Sequence, residues 1–291
     1  MITQQIVEKA RGKADAVQAS MQARETSDVS FEDDHLKSVT SAQRTDIQVK
    51  VIRDGKVGIS TTTDPADMDG VIQRALDAAA FGVPVNFEMP GRQTVQDVKT
   101  FDEALLPLTK PDLIQLGQGM MEAIKSYNGE IKAAAGVNRS VVQMEFANSA
   151  GAVYRQEHTN FSVGAGGALV RGTDILFAGY GVEQKNRAID PEEIAERAIE
   201  YFRRAERTAA VRSGVLPVIF TPGGLSALLL SFGLGLDGKN VYLGASPLRG
   251  KLGQAIADPR FTLVDDPLID FGARSCSFDE EGMARQRLPL I

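Results

Sequence analysis

The sequence predicts an α+β fold. It has a helix-plus-antiparallel-sheet N-terminal domain over 1–90, a second helix and antiparallel-sheet region over 91–212, and the start of a β-rich C-terminal domain over 213–291. Three observations carry this. Apolar residues switch between helical spacing and strict alternation along the chain. Asp54-Gly55 sits between two alternating runs, and Asp-Gly tolerates the positive φ that a tight hairpin needs. Asp64-Pro65, Lys110-Pro111 and Asp190-Pro191 each place a proline where a helix can begin without losing a hydrogen bond.

Taken in order, Ile6, Ala10, Ala14, Val17 and Met21 fall near helical spacing and predict a helix over 3–22. Val29 and Phe31, then Ile47, Val49 and Val51, then Val57 and Ile59, alternate with polar neighbours and predict strands. A helix follows from Asp64-Pro65 to about Phe81, ending at Gly82. Residues 83–109 hold Pro84, Pro90, Gly91 and Pro107 without periodicity and read as an extended crossing. Thr109-Lys110-Pro111-Asp112 opens a helix to about Tyr127, closed by Asn128-Gly129. Five strand signals come next: Ile131–Ala135, Val141–Ala147, Val153–Arg155, Phe161–Val170 and Ile175–Tyr180. Asp190-Pro191-Glu192-Glu193 places acids at the positive end of a helix that runs to about Arg207. Leu216–Thr221 reads as a buried strand, followed by a Gly-rich helix over Ser226–Asp237.

Bulk composition narrows the function. The 291 residues carry a net charge of -6, with no Lys/Arg run long enough to follow a phosphate backbone, so direct nucleic-acid binding is not expected. A single cysteine, Cys276, excludes a disulfide framework and fits a reducing compartment. The N-terminus is polar and amphipathic rather than a secretory signal, and no apolar run reaches membrane-spanning length. A cytoplasmic protein is the expectation.

Candidate chemistry is sparse. The two histidines, His35 and His158, lie far apart in strand contexts, and no His-Glu pair occurs, so a histidine-based metal site is not expected. Cys276 follows Arg274-Ser275 but has no histidine near it in sequence, and reads first as a small buried hydrophobe. No Gly-x-Ser-x-Gly nucleophile turn is present. Gly164–Gly167 lies inside a strand signal, and Thr221–Gly224 lacks the Lys-Ser/Thr of a nucleotide loop. The loop 244–253 is polar and cationic; Arg249 or Lys251 could clamp a peptide carboxylate, or pair with Asp265 or Asp266. Asp265-Asp266 before Pro267 could serve acid–base chemistry or cap a turn. Ser246, Arg249, Lys251, Asp265 and Asp266 are therefore the candidate substrate-binding residues.

Four elements occur in one order over Pro217–Leu290: Val241-Tyr242-x-Gly244-x-Ser246, Leu248-x-x-Lys251-Leu252-Gly253, Asp265-Asp266-Pro267 and Phe278-Asp279-x-Glu281-Gly282. Together they resemble the TldD/PmbA family, once called modulators of DNA gyrase and later recognised as peptidases. The resemblance extends loosely over the whole chain, including the strand–turn–strand of 46–63. In catalytic members the helix matching Ser226–Asp237 carries His-Glu-x-x-x-His, which binds zinc and supplies a general base. Here the matching positions include Leu229, Leu230 and Leu234, which have no ligating atom and for which packing is the expected role.

The resemblance is to the PmbA (TldE) branch, which lacks the zinc motif. It implies a non-catalytic subunit without a cofactor of its own, assembled with a zinc-bearing TldD-type subunit or self-associated as a dimer, acting on peptides. A peptidase using Asp265, Asp266 or Cys276 without zinc, and a non-enzymic interaction module, are the alternatives. Family members continue past the point matching Ile291, where the chain ends inside a strand signal. The third domain is therefore expected to be incomplete.

Overall fold

The structure is a computed structural model and describes residues 1–291. It divides into two compact units: Met1–Arg207 with Asp266–Arg287, and Thr208–Asp265 with Leu288–Ile291.

In the first unit, α1 (Ile2–Ala10) leads into β1 (Ala16–Glu32), β2 (His35–Arg53) and β3 (Lys56–Thr62). Next come α2 (Met68–Ala80), an extended crossing with one 3-10 turn at Glu103–Leu105, and α3 (Lys110–Tyr127). Then follow β4 (Lys132–Asn148), β5 (Val153–Arg171), β6 (Asp174–Gln184) and α4 (Pro191–Ala205). All six strands form one antiparallel sheet in the order β3-β2-β1-β4-β5-β6, curved as a half-barrel. Strands from before and after residue 90 share this one sheet, because β1 is bonded to β2 on one side and to β4 on the other.

Alternation decides which face is covered. Odd-numbered β1 residues Val17, Ala19, Val29 and Phe31 point to one face, where α1 and α2 close one cluster and α3 and α4 close the other. Burial of these apolar faces is the main stabilising term. The opposite face is polar and small-residued: Gly136, Asn138 and Ser140 of β4 pair with Gly164, Ser162 and Asn160 of β5. The segment 266–287 crosses part of that open face. Its Phe278 stacks on Tyr154 with ring centres 5.0 Å apart, Gln18 donates to the Glu280 carbonyl, and Lys50 pairs with Glu281 at 2.7 Å.

Local signals hold where they are strong. Asp54 and Gly55 take φ of 51° and 68°, as the hairpin between β2 and β3 requires. Thr109 and Asp112 form a capping box at the start of α3, and Asp190 caps α4 through Glu192 N–H at 2.9 Å. Three expectations are corrected. The N-terminal helix stops at Ala10, where Gly12 turns the chain at φ 77°; Val17 and Met21 belong to β1, since residues four apart satisfy alternation as well as a helical turn. The five strand signals of the central region merge into the three long strands β4, β5 and β6, continuous through the small open-face residues that interrupt the apolar pattern. Leu216–Thr221 is not a buried strand: it finds no pairing partner and Val218 and Ile219 are exposed.

The second unit holds α5 (Pro222–Leu236), α6 (Gly238–Tyr242) and a short pair, β7 (Val264–Asp265) with β8 (Leu288–Pro289). Thr221 caps α5 through Gly224 N–H at 3.2 Å, and Asp237 caps α6 through Asn240 N–H at 2.9 Å. No helix in the chain is long and apolar enough to cross a membrane.

Candidate functional site

Helix α5 and the loop after α6 carry most of the residues singled out from the sequence. A proline in its first turn and the Thr221 cap start α5, and Asp237 ends it by opening α6. Leu229 is half-buried, while Leu230 and Leu234 are 68% and 61% exposed. The packing role expected of Leu230 and Leu234 is therefore not met within this chain. The helix is apolar on every side and has too few neighbours to cover it: Gly235 is its one buried residue. Leucine offers no donor atom, so these positions do not fit zinc. No group of three His, Cys, Asp or Glu side chains is placed to hold a metal ion elsewhere.

Ser246 is buried, and its hydroxyl is spoken for: it donates to the Gly235 carbonyl and accepts from Leu248 N–H at 3.0 Å. It fastens the loop to the end of α5. Arg249 and Lys251 are exposed on that loop, with the Arg249 guanidinium folded back over Gly244. Asp265 lies in β7. Asp266 belongs to the first unit, where it accepts from Leu268 N–H at 3.1 Å and pairs with Arg287 at 3.3 Å. Its ion-pair partner is thus Arg287.

The other concentration of titratable groups is on the open face of the sheet and was not visible in sequence. Register places Arg24 of β1, Val142 of β4 and His158 of β5 side by side. One row on, Asn160 Nδ2 donates to Ser140 Oγ at 3.2 Å, and Lys185 Nζ donates to Asn160 Oδ1 at 3.4 Å. Lys185 follows directly after β6, and its N–H donates to the Phe271 carbonyl at 2.9 Å, so the 266–287 segment buries it to 4% exposure. Burial lowers its pKa, with Arg274 and Arg24 adding to the effect and Cys276 and Glu183 opposing it. Burial, followed by the charges of Lys185 and Arg24, pushes His158 down to about 4, so its imidazole is neutral at pH 7. Cys276, half-buried and outside any disulfide, lies on the same side as Lys185. His35 starts β2 and is exposed. The arrangement gathers two cations, a neutral imidazole and a thiol on one side of the sheet.

Sequence comparison matches three successive domains of one family. Residues 17–79 match the PmbA/TldA metallopeptidase domain 1, 103–206 the central domain, and 213–291 the C-terminal domain. An uncharacterised protein of Methanocaldococcus jannaschii is 27% identical over 84% of this chain and 57% of its own length. A protein named metalloprotease from Methanothermobacter thermautotrophicus is 24% identical over 91% of this chain and 60% of its own. The chain therefore spans less than two thirds of the length of these relatives. Among solved structures, TldE from Thermococcus kodakarensis shares the fold with a TM-score of 0.90 at 18% identity, covering 100% of this chain and 67% of that one.

Proposed function

The chain belongs to the PmbA/TldD metallopeptidase family, and from that premise we propose that it is the non-catalytic PmbA/TldE-type member of a two-component peptidase. In this reading it carries no zinc, contributes peptide contacts, and gains its role by assembling with a zinc-bearing TldD-type subunit in the cytoplasm. The observation that carries it is the identity of Leu229, Leu230 and Leu234: the helix that frames zinc in catalytic members is kept and capped, while the ligating side chains are absent. Exposure of Leu230 and Leu234 supports the assembly part, because an apolar helix left uncovered is a surface that another polypeptide can bury. Arg249 and Lys251, cationic and exposed, are the proposed peptide contacts on the adjoining loop, with Asp265 and Asp266 as further candidates later in the chain.

A peptidase built on Asp266 gains no support from its surroundings, because that carboxylate is committed to Arg287 and to Leu268 N–H. The test is reconstitution. The chain and a zinc-bearing TldD-type protein are assayed separately and together on an unstructured peptide. Cleavage that rises on mixing supports the proposal. Cleavage by this chain alone, or no effect on the partner, refutes it.

A further inference from the structure

The geometry points to a binding slot for an extended peptide along the outer edge of β5, where the main chain of the peptide adds to the sheet as a further strand. β6 pairs with β5 only from Phe161 onwards. The preceding stretch of β5 stays bonded to β4 on its inner side and has no strand on its outer side. In an antiparallel strand, alternate residues turn both main-chain groups to the same side. Thr159 N–H donates to the Thr100 carbonyl at 3.0 Å, and the Glu157 carbonyl accepts from Thr100 Oγ1 at 2.7 Å, so the odd-numbered residues here face outward. The N–H and C=O of Arg155 and the N–H of Glu157 therefore point away from β4, and they meet no partner.

Opposite them runs the extended crossing between α2 and α3. Gln93 N–H donates to the Tyr154 hydroxyl at 2.8 Å at one end, and Thr100 is bonded to β5 at the other. Between these two points the main chain of Val95–Val98 makes no hydrogen bond. A cavity of about 580 Å³ separates the two backbones, bordered by Ser277 and Phe278, and its size suits a small ligand or a short peptide. Two facing runs of unbonded main chain with space between them match an extended polypeptide, which offers N–H and C=O groups to both sides. The charged residues lining the slot are Asp97 and Glu157 against Lys99 and Arg155, so charge cancels and an uncharged peptide is the fitting occupant. Tyr154, stacked on Phe278, gives an apolar side chain of that peptide a surface to rest on. The slot lies wholly in the first unit, whereas Arg249 and Lys251 lie in the second, so the inference goes beyond the proposed function and is tested separately from it.

Amide hydrogen exchange of the intact chain, followed residue by residue by NMR, tests it. The probe is the uncharged peptide N-acetyl-Thr-Val-Ala-Val-Thr-amide. The control is the same peptide N-methylated at every residue, which cannot donate to a strand edge. At about nine times its dissociation constant the probe leaves a tenth of the slots empty, so the Arg155 and Glu157 amides should exchange about tenfold more slowly. The control should change neither. Arg155→Ala keeps the main-chain N–H and should bind the probe as the wild type does. Arg155→Pro removes that N–H without breaking a bond to β4, as an edge position tolerates, and should weaken binding about tenfold, read at Glu157. No slowing with the probe, equal slowing with the N-methylated control, lost binding in Arg155→Ala, or unchanged affinity in Arg155→Pro would overturn the inference. Protection of both amides before any peptide is added, growing with protein concentration, would assign the edge to a second copy of the chain and overturn it as well.

Discussion

Acidification from pH 7.5 to 5.5 should destabilise the folded chain through His158. The imidazole has a folded pKa of about 4 against an ordinary value of 6.5, so the unfolded state binds its proton more readily. The contribution is therefore complete above the unfolded value and is lost as pH falls from 6.5 towards 4. Linkage between those two values gives a loss of about 1.3 kcal/mol across the proposed range, and about 3 kcal/mol in full at still lower pH. Carboxylates remain largely ionised at pH 5.5, so they contribute little to the change. The range also stays above the pI of 5.2, where net charge and solubility fall. The assay is urea unfolding at both pH values for the wild-type chain and for His158→Gln, which cannot titrate. The wild type should lose about 1.3 kcal/mol more than the variant. Equal losses in the two proteins, or an NMR titration of His158 centred near 6.5, would refute the account of burial beside Lys185 and Arg24.

Other perturbations follow from particular contacts. Thr109→Ala removes the capping box of α3 and should cost about 1 kcal/mol in chemical unfolding. Arg139→Met deletes the guanidinium that donates to the Leu105 and Leu106 carbonyls at 2.7 and 3.2 Å; a loss of about 2–3 kcal/mol is expected, measured the same way. Gly58→Ala puts a Cβ 2.1 Å from the Ala75 carbonyl oxygen and should force α2 off β3, lowering the thermal midpoint by several degrees. Leu230→Gln with Leu234→Gln should leave the stability of the isolated chain within about 0.5 kcal/mol, because both side chains are exposed, while reducing stimulation of a TldD-type partner.

How much of this was legible depends on how local each signal is. Thr109–Asp112 and Asp54-Gly55 announce a helix start and a hairpin within four residues, and both form as read. The lengths of β4 and β5 are hidden in the sequence, because Gly136–Ser140 and Gln156–Asn160 break the apolar alternation when only their own side chains are considered. They are tolerated because neighbouring strands supply the ladder. Residues 16–22 were assigned to a helix because Val17 and Met21 fit both periods, and pairing with β2 and β4 decides the matter. Lys185 gave no signal at all: a lysine after an edge strand reads as solvated, and its burial comes from Phe271, far along the chain. Conversely, Leu216–Thr221 reads as a buried strand only if something pairs with it. Ser246 stands among the candidate substrate-binding residues, and in the structure its hydroxyl is occupied in holding the loop to α5.

The central claim is that this chain keeps the frame of a zinc helix without its ligands. Zinc content after purification from zinc-supplemented cells, counted per chain by mass spectrometry, tests it most directly. The account predicts far less than one zinc per chain, with Leu229→His, Leu230→Glu and Leu234→His combined increasing the uptake. Stoichiometric zinc in the unmodified chain, resistant to mild chelation, would contradict it.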